Sequence, residues 1–161
     1  MKRIITIPTV LVWLLLIPVF TISQQKTEIV STVVTKYYDV KNALVNSDAS
    51  ATAKASADFA AFLKSADTKA LPTSSQSTFK KIMSDANLIA ASKDLEKQRV
   101  AFQSLSGNII SLAKASKLTQ PAFVAYCPMK KASWLSSENK VKNPYYGNSM
   151  LTCGNITETL K

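Results

Sequence analysis

The chain contains no histidine, and that absence removes more chemistry than any motif adds. Ser-His-Asp and Cys-His catalysis, His-ligated zinc and an imidazole pH switch are all excluded. Glycine is nearly as scarce: Gly107, Gly147 and Gly154 are too scattered to build a phosphate-cradling loop or a dinucleotide fingerprint. Glutamate occurs only at positions 28, 96, 138 and 158. The Glu and Glu-x-x-His sets that hold two irons inside a helical bundle are therefore missing as well. No residue pattern supports catalysis, and the protein is expected not to be an enzyme.

What is present suits one helical domain. The 161 residues are 47% apolar and 19% charged, enough for a single core but not for two large ones. With little glycine and a middle rich in Ala, Ser, Lys, Leu and Gln, helix is the favoured state. The expected fold class is mainly α: an antiparallel four-helix up-down bundle with a C-terminal hook of short strands and loops. The expected division is a signal peptide over 1–23, the bundle over 24–120, and the hook over 121–161, packed on the bundle as one domain with it.

The N-terminal expectation rests on charge and hydropathy. Lys2 and Arg3 precede an uncharged run from Ile4 to Gln25 with an aliphatic centre at Val10 to Ile17. Pro18 then falls shortly before Thr21-Ile22-Ser23, which reads as a secretory signal cleaved after Ser23. An uncleaved anchor is the competing reading, because the run is near the minimum spanning length of about 17 residues; it is the only segment that would touch a membrane. Export would place the protein in the periplasm or outside the cell. Cleavage would take Lys2 and Arg3 away, so the formal charge of +10 falls to +8. Lysines spread along helices without clustered exposed aromatics do not form a nucleic-acid surface. A solvated surface that keeps the domain soluble is the plainer account of the charge.

Apolar periodicity predicts the four helices. From about Lys26 to Val45, Val30, Val33, Val34, Tyr37, Val40 and Leu44 form one stripe, with Lys36, Asp39 and Lys41 between them. Asn46-Ser47-Asp48 ends that helix and caps a second over Ala49 to Ser65, with Ala55, Phe59, Phe62 and Leu63 on one face. A loop with Pro72 and its neighbouring serines is expected to cap a third helix, roughly Gln76 to Ala91, carrying Phe79, Ile82, Met83, Ala86, Ile89 and Ala90. Met83 lies on this stripe and reads as core filling. The fourth, about Lys93 to Lys117, carries Leu95, Phe102, Leu105, Ile109, Leu112 and Ala113, with Lys114 and Lys117 in its last turn. Asp39, Asp58 and Asp85 fall off these stripes and are expected on the surface.

After Pro121 the helical period stops. Phe123 to Tyr126 and Trp134-Leu135 read as short strands, and Pro144 and Gly147 mark turns. Trp134, Tyr145 and Tyr146 are the expected anchors of this hook and a candidate interaction surface. Cys127 is followed by Met129, and Cys153 is preceded by Met150. Three readings of the sulfurs stand open. A Cys127–Cys153 disulfide would close a loop whose tethering contributes roughly 3 kcal/mol; a reversible disulfide would act as a redox switch; and thiolates with thioethers would suit a soft metal.

The hook motifs Tyr126-Cys127-Pro128-Met129, Trp134-Leu135-Ser136-Ser137, Asn143-Pro144-Tyr145-Tyr146-Gly147 and Met150-Leu151-Thr152-Cys153-Gly154 resemble the bacterial domain-of-unknown-function 3347 family. Tyr37 to Asp48 resembles that family's first helix, and Asp94 to Arg99 with Phe102, Leu105 and Ser106 its last, so the resemblance runs from about Lys36 to Leu160. Members are small exported proteins and domains joined to periplasmic adaptors of heavy-metal efflux pumps. The resemblance implies Cu(I) or Ag(I) as cargo, such an adaptor as partner, and Cys127, Met129, Met150 and Cys153 as ligands. Lys130-Lys131 departs from the pattern by adding positive charge beside those sulfurs.

Overall fold

The computed structural model describes the backbone of residues 17–161 and side chains from residue 27 onward, residue 70 excepted. The expected signal segment over 1–23 thus lies outside the described residues for its side chains and most of its backbone. Four helices come first: α1 (Ile17–Val45), α2 (Ala49–Ser65), α3 (Thr73–Ala90) and α4 (Leu95–Lys114). Each packs on the next and α4 also meets α1, giving the up-down bundle. Among the described residues no helix is long and apolar enough to cross a membrane.

The α1 stripe is buried as its spacing predicts, with Val30, Val33, Val34, Tyr37, Val40 and Leu44 all in the core. Phe59 and Leu63 from α2, Phe79, Ile82, Ala86 and Ile89 from α3, and Phe102, Leu105, Ile109 and Leu112 from α4 complete it. Met83 packs against this cluster from a half-buried position, in keeping with a gap-filling role. Caps explain two of the starts. Asp48 accepts the Ala51 N–H at 2.8 Å ahead of α2, and Asp94 accepts the Glu96 N–H at 2.9 Å ahead of α4.

Four details depart from the periodicity reading. No serine caps α3: Pro72 occupies the cap position, and Thr73, Ser74 and Ser75 already lie in the first turn. The fourth helix ends at Lys114, so Lys117 falls beyond its last turn, while Lys114 forms an ion pair with Glu158 from the C-terminal strand. Asp85 is buried rather than exposed, because Ser104 Oγ and Asn108 Nδ2 from α4 donate to its carboxylate at 3.0 and 2.8 Å. Lys41 is likewise buried, with burial pulling its ammonium below the usual lysine range. Its nearest carboxylate influence, Glu138, is already paired with Lys142.

Beyond the bundle, β1 (Ala122–Cys127), β2 (Ala132–Ser136) and β3 (Asn155–Leu160) form an antiparallel sheet in the order β2-β1-β3. The first two strands match the expected runs. The third was not anticipated, because all its positions are exposed or half-buried and only Ile156 and Leu160 pack against the core. One irregularity between Val124 and Ala125 leaves Thr157 of β3 out of register, and its hydroxyl donates to Val124 O at 3.1 Å.

The sheet is pinned to the bundle by one run of rings. Tyr37 of α1 stacks on Phe102 of α4 with centroids 5.3 Å apart, Phe102 meets Tyr145, and Tyr145 meets Trp134 of β2 edge-on. The Tyr37 hydroxyl also accepts the Leu135 N–H at 3.1 Å and hydrogen bonds with Ser106 Oγ at 2.8 Å. A tyrosine on the first helix therefore joins the last helix to the sheet.

Candidate functional site: a sulfur pair at one end of the sheet

Antiparallel pairing puts the last residue of β1, the first of β2 and the first of β3 at the same end of the sheet, with Cys127 opposite Ala132 and Tyr126 opposite Asn155. Two turns close this end. One is the β1–β2 hairpin, whose loop carries Met129 and places Lys131 at φ 54°. The other follows a 3-10 turn at Gly147–Ser149, where Met150 O accepts the Cys153 N–H at 3.1 Å. Each turn therefore brings one methionine near one cysteine in sequence.

The structure brings the two cysteines together: Cys127 Sγ and Cys153 Sγ lie 3.5 Å apart with no bond between them. Cys127 is wholly buried and Cys153 partly exposed. Burial pushes the Cys127 thiol up, but the Lys130 N–H, the Cys153 thiol, the Asn143 side chain and the Met129 N–H outweigh it, leaving Cys127 more acidic than an ordinary cysteine. Cys153 moves the other way, raised first by its hydrogen bond to Cys127 and then by burial. The two thiols are thus coupled, Cys127 eased towards ionisation and Cys153 held towards its protonated form. Lys130 takes part through its backbone N–H. Met129 is 66% exposed and Met150 37% exposed, both among the few large apolar side chains left in solvent.

Two neighbours fix this geometry. Asn143 is fully buried and uses every polar group: its Nδ2 donates to Cys153 O at 2.7 Å, its Oδ1 accepts the Tyr145 N–H, its N–H donates to Leu151 O and its carbonyl accepts the Gly147 N–H. Gly154 has φ 135°, and a Cβ there would lie 2.7 Å from Tyr126 O and 3.0 Å from the Trp134 ring. The absence of a side chain lets the Cys153 segment lie flat against β1. Arg99 of α4 ties the same loop to the bundle, donating to Pro144 O at 3.2 Å and to Ser47 Oγ at 3.1 Å.

Asn143 and Arg99 were not singled out from sequence. Both appear in the sequence reading only inside longer motifs, with no role of their own. The expected surface trio also divides. Trp134 and Tyr145 are buried inside the chain, Tyr145 with its hydroxyl on Ser133 O at 2.7 Å, and only Tyr146 keeps some exposure. They are anchors, as expected, although the Trp134 Nε1 has no hydrogen-bond partner among the described residues.

The sulfur pair passes a simple fit test for a soft cation. Two donors each about 2.3 Å from one ion and 3.5 Å from each other subtend roughly 100° at that ion, an ordinary angle for a thiolate site. Among the described residues no group of three or more His, Cys, Asp and Glu side chains gathers to hold a metal. Further soft donors at this end of the sheet are the thioethers of Met129 and Met150.

Fold and site together define a helical bundle carrying a small sheet with a thiol pair at its end. Residues 33–121 match a family described as "Protein of unknown function (DUF3347)". The match covers more than half of the chain, which therefore belongs to that family. It runs from the C-terminal half of α1 through the linker before β1, so the sulfur residues lie beyond the matched stretch. No curated protein and no solved structure matches the chain.

Proposed function

We propose that this is an exported, non-enzymatic accessory protein that binds a soft monovalent metal, Cu(I) or Ag(I), for sequestration or for delivery to a periplasmic heavy-metal efflux adaptor. The observation that carries the reading is the unbonded approach of Cys127 Sγ and Cys153 Sγ at 3.5 Å. Cys127 ends β1 just before the turn that presents Met129, and Cys153 closes the turn that follows Met150, both methionines being exposed. The acidic character of Cys127 favours the thiolate that a soft cation needs. Cys127 and Cys153 are the principal ligands, with Met129 and Met150 as thioether donors. Asn143, Gly154 and the aromatic run hold the two turns in place.

Silver titration of the reduced protein tests this. Stoichiometric Ag(I) uptake that survives Met83→Leu but is weakened in Met129→Leu plus Met150→Leu, and abolished in Cys127→Ser, supports it. Absence of uptake by the reduced wild type would sink it. The second reading is an interaction module stapled by a Cys127–Cys153 disulfide, favoured by how short a movement separates the sulfurs. Its docking face would centre on Tyr146 and the exposed methionines, since Trp134 and Tyr145 are inside.

A further inference from the structure

We propose that Cys127 and Cys153 form a redox-active dithiol that small disulfides oxidise by thiol–disulfide exchange, and that this oxidation shuts the soft-metal site. The exchange stands on the sulfur geometry; its consequence for metal rests on the binding reading above.

The gap to be closed is small. A disulfide needs its sulfurs at about 2.05 Å, and they already lie 3.5 Å apart. The two residues are held unequally. Cys127 ends the central strand, paired to β2 in register and completely buried. Cys153 lies outside the ladder, in the turn between Met150 and Gly154, and is partly exposed. The cysteine outside the ladder is also the one with solvent exposure.

Access sets the order of events. The Cys153 thiol gives its proton to solvent, and its sulfur attacks an incoming disulfide. A Cys153–S–S–R bond forms, the R–S–S–R bond breaks and one RS⁻ departs. Cys127 then releases its own proton and its sulfur, 3.5 Å away, attacks Cys153 sulfur, expelling the second RS⁻ and forming the internal bond. The protein dithiol loses two electrons and two protons; the small disulfide gains both and leaves as two thiols. A Cys127–Cys153 bond consumes both thiolates and leaves only two solvent-exposed thioethers, weaker donors on two separate turns.

The test treats reduced full-length protein with glutathione disulfide and follows intact mass, with circular dichroism confirming that each serine variant keeps its helices. Wild type should end two hydrogens lighter with no retained adduct. Cys127→Ser should trap one glutathione on Cys153, and Cys153→Ser should stay unmodified. A wild type that remains reduced, or that keeps glutathione, overturns the exchange without reference to any variant. An adduct on Cys153→Ser and none on Cys127→Ser overturns the order. Ag(I) titration of the oxidised and reduced forms then reads the gate: loss of uptake on oxidation supports it, and equal uptake refutes it. A reduced protein that forms the disulfide yet takes up no Ag(I) refutes the gate and the metal reading together, and leaves the exchange standing.

Discussion

The bundle and the C-terminal sheet are stabilised by different physics. The bundle buries one apolar stripe from each helix, and most of its polar groups are satisfied within helices or by caps. The sheet is small and has an edge strand with no fully buried residue. It relies on four rings, one asparagine and one arginine to hold loops that have little core of their own. The difference teaches where chemistry can sit. The helices and the inner strands share one core that buries Cys127, and polar clamps hold the more exposed Cys153 turn against it with the sulfurs 3.5 Å apart.

The largest expected effect comes from the ring shared by both regions. Phe102→Ala should cost about 3–5 kcal/mol, and helix and sheet amides should lose protection together in hydrogen exchange. Loss of protection in the sheet alone, with the helices unchanged, would break the idea that the rings couple the two regions. Gly154→Ala strikes the sheet alone, forcing a side chain against Tyr126 O at a φ of 135°. It should cost about 1–3 kcal/mol and speed exchange in β1 and β3 while α2 and α3 keep their rates. Equal acceleration in the helices would contradict the division.

The smallest effect has the opposite sign. Lys41→Met should stabilise the protein by roughly 1 kcal/mol at neutral pH, measured by denaturant unfolding. The folded state holds the Lys41 ammonium below its ordinary 10.5, so the folded protein sheds that proton first. Its penalty is fully present at pH values below the folded pKa and is relieved as pH rises towards 10.5. The advantage of the methionine should therefore shrink in alkaline buffer; a gain that grows with pH would refute this account of Lys41.

These two kinds of stabilisation also account for what could be read from the sequence. Val30, Val33, Val34, Tyr37, Val40 and Leu44 announced their helix because burial follows a period, and Asp48 announced its cap because the chemistry is local. Asp85 and Lys41 were misplaced because their burial depends on partners and neighbours distant in sequence. The strand Asn155–Leu160 gave no signal since an exposed edge strand does not need an apolar face. At the site, the four sulfur-bearing residues were legible as residue types near one another in sequence. The approach of the two cysteines was not: the Cys153 turn reaches Cys127 only through strand pairing, the left-handed Gly154 and the reach of Asn143 across ten residues.

The most direct test of the central claim is X-ray absorption at the copper edge on reduced protein loaded with one equivalent of Cu(I). The account predicts an all-sulfur first shell at about 2.3 Å, which loses sulfur in Cys153→Ser and changes again in Met129→Leu plus Met150→Leu. A shell of oxygen or nitrogen donors, or one unaltered by removing Cys153, would contradict it.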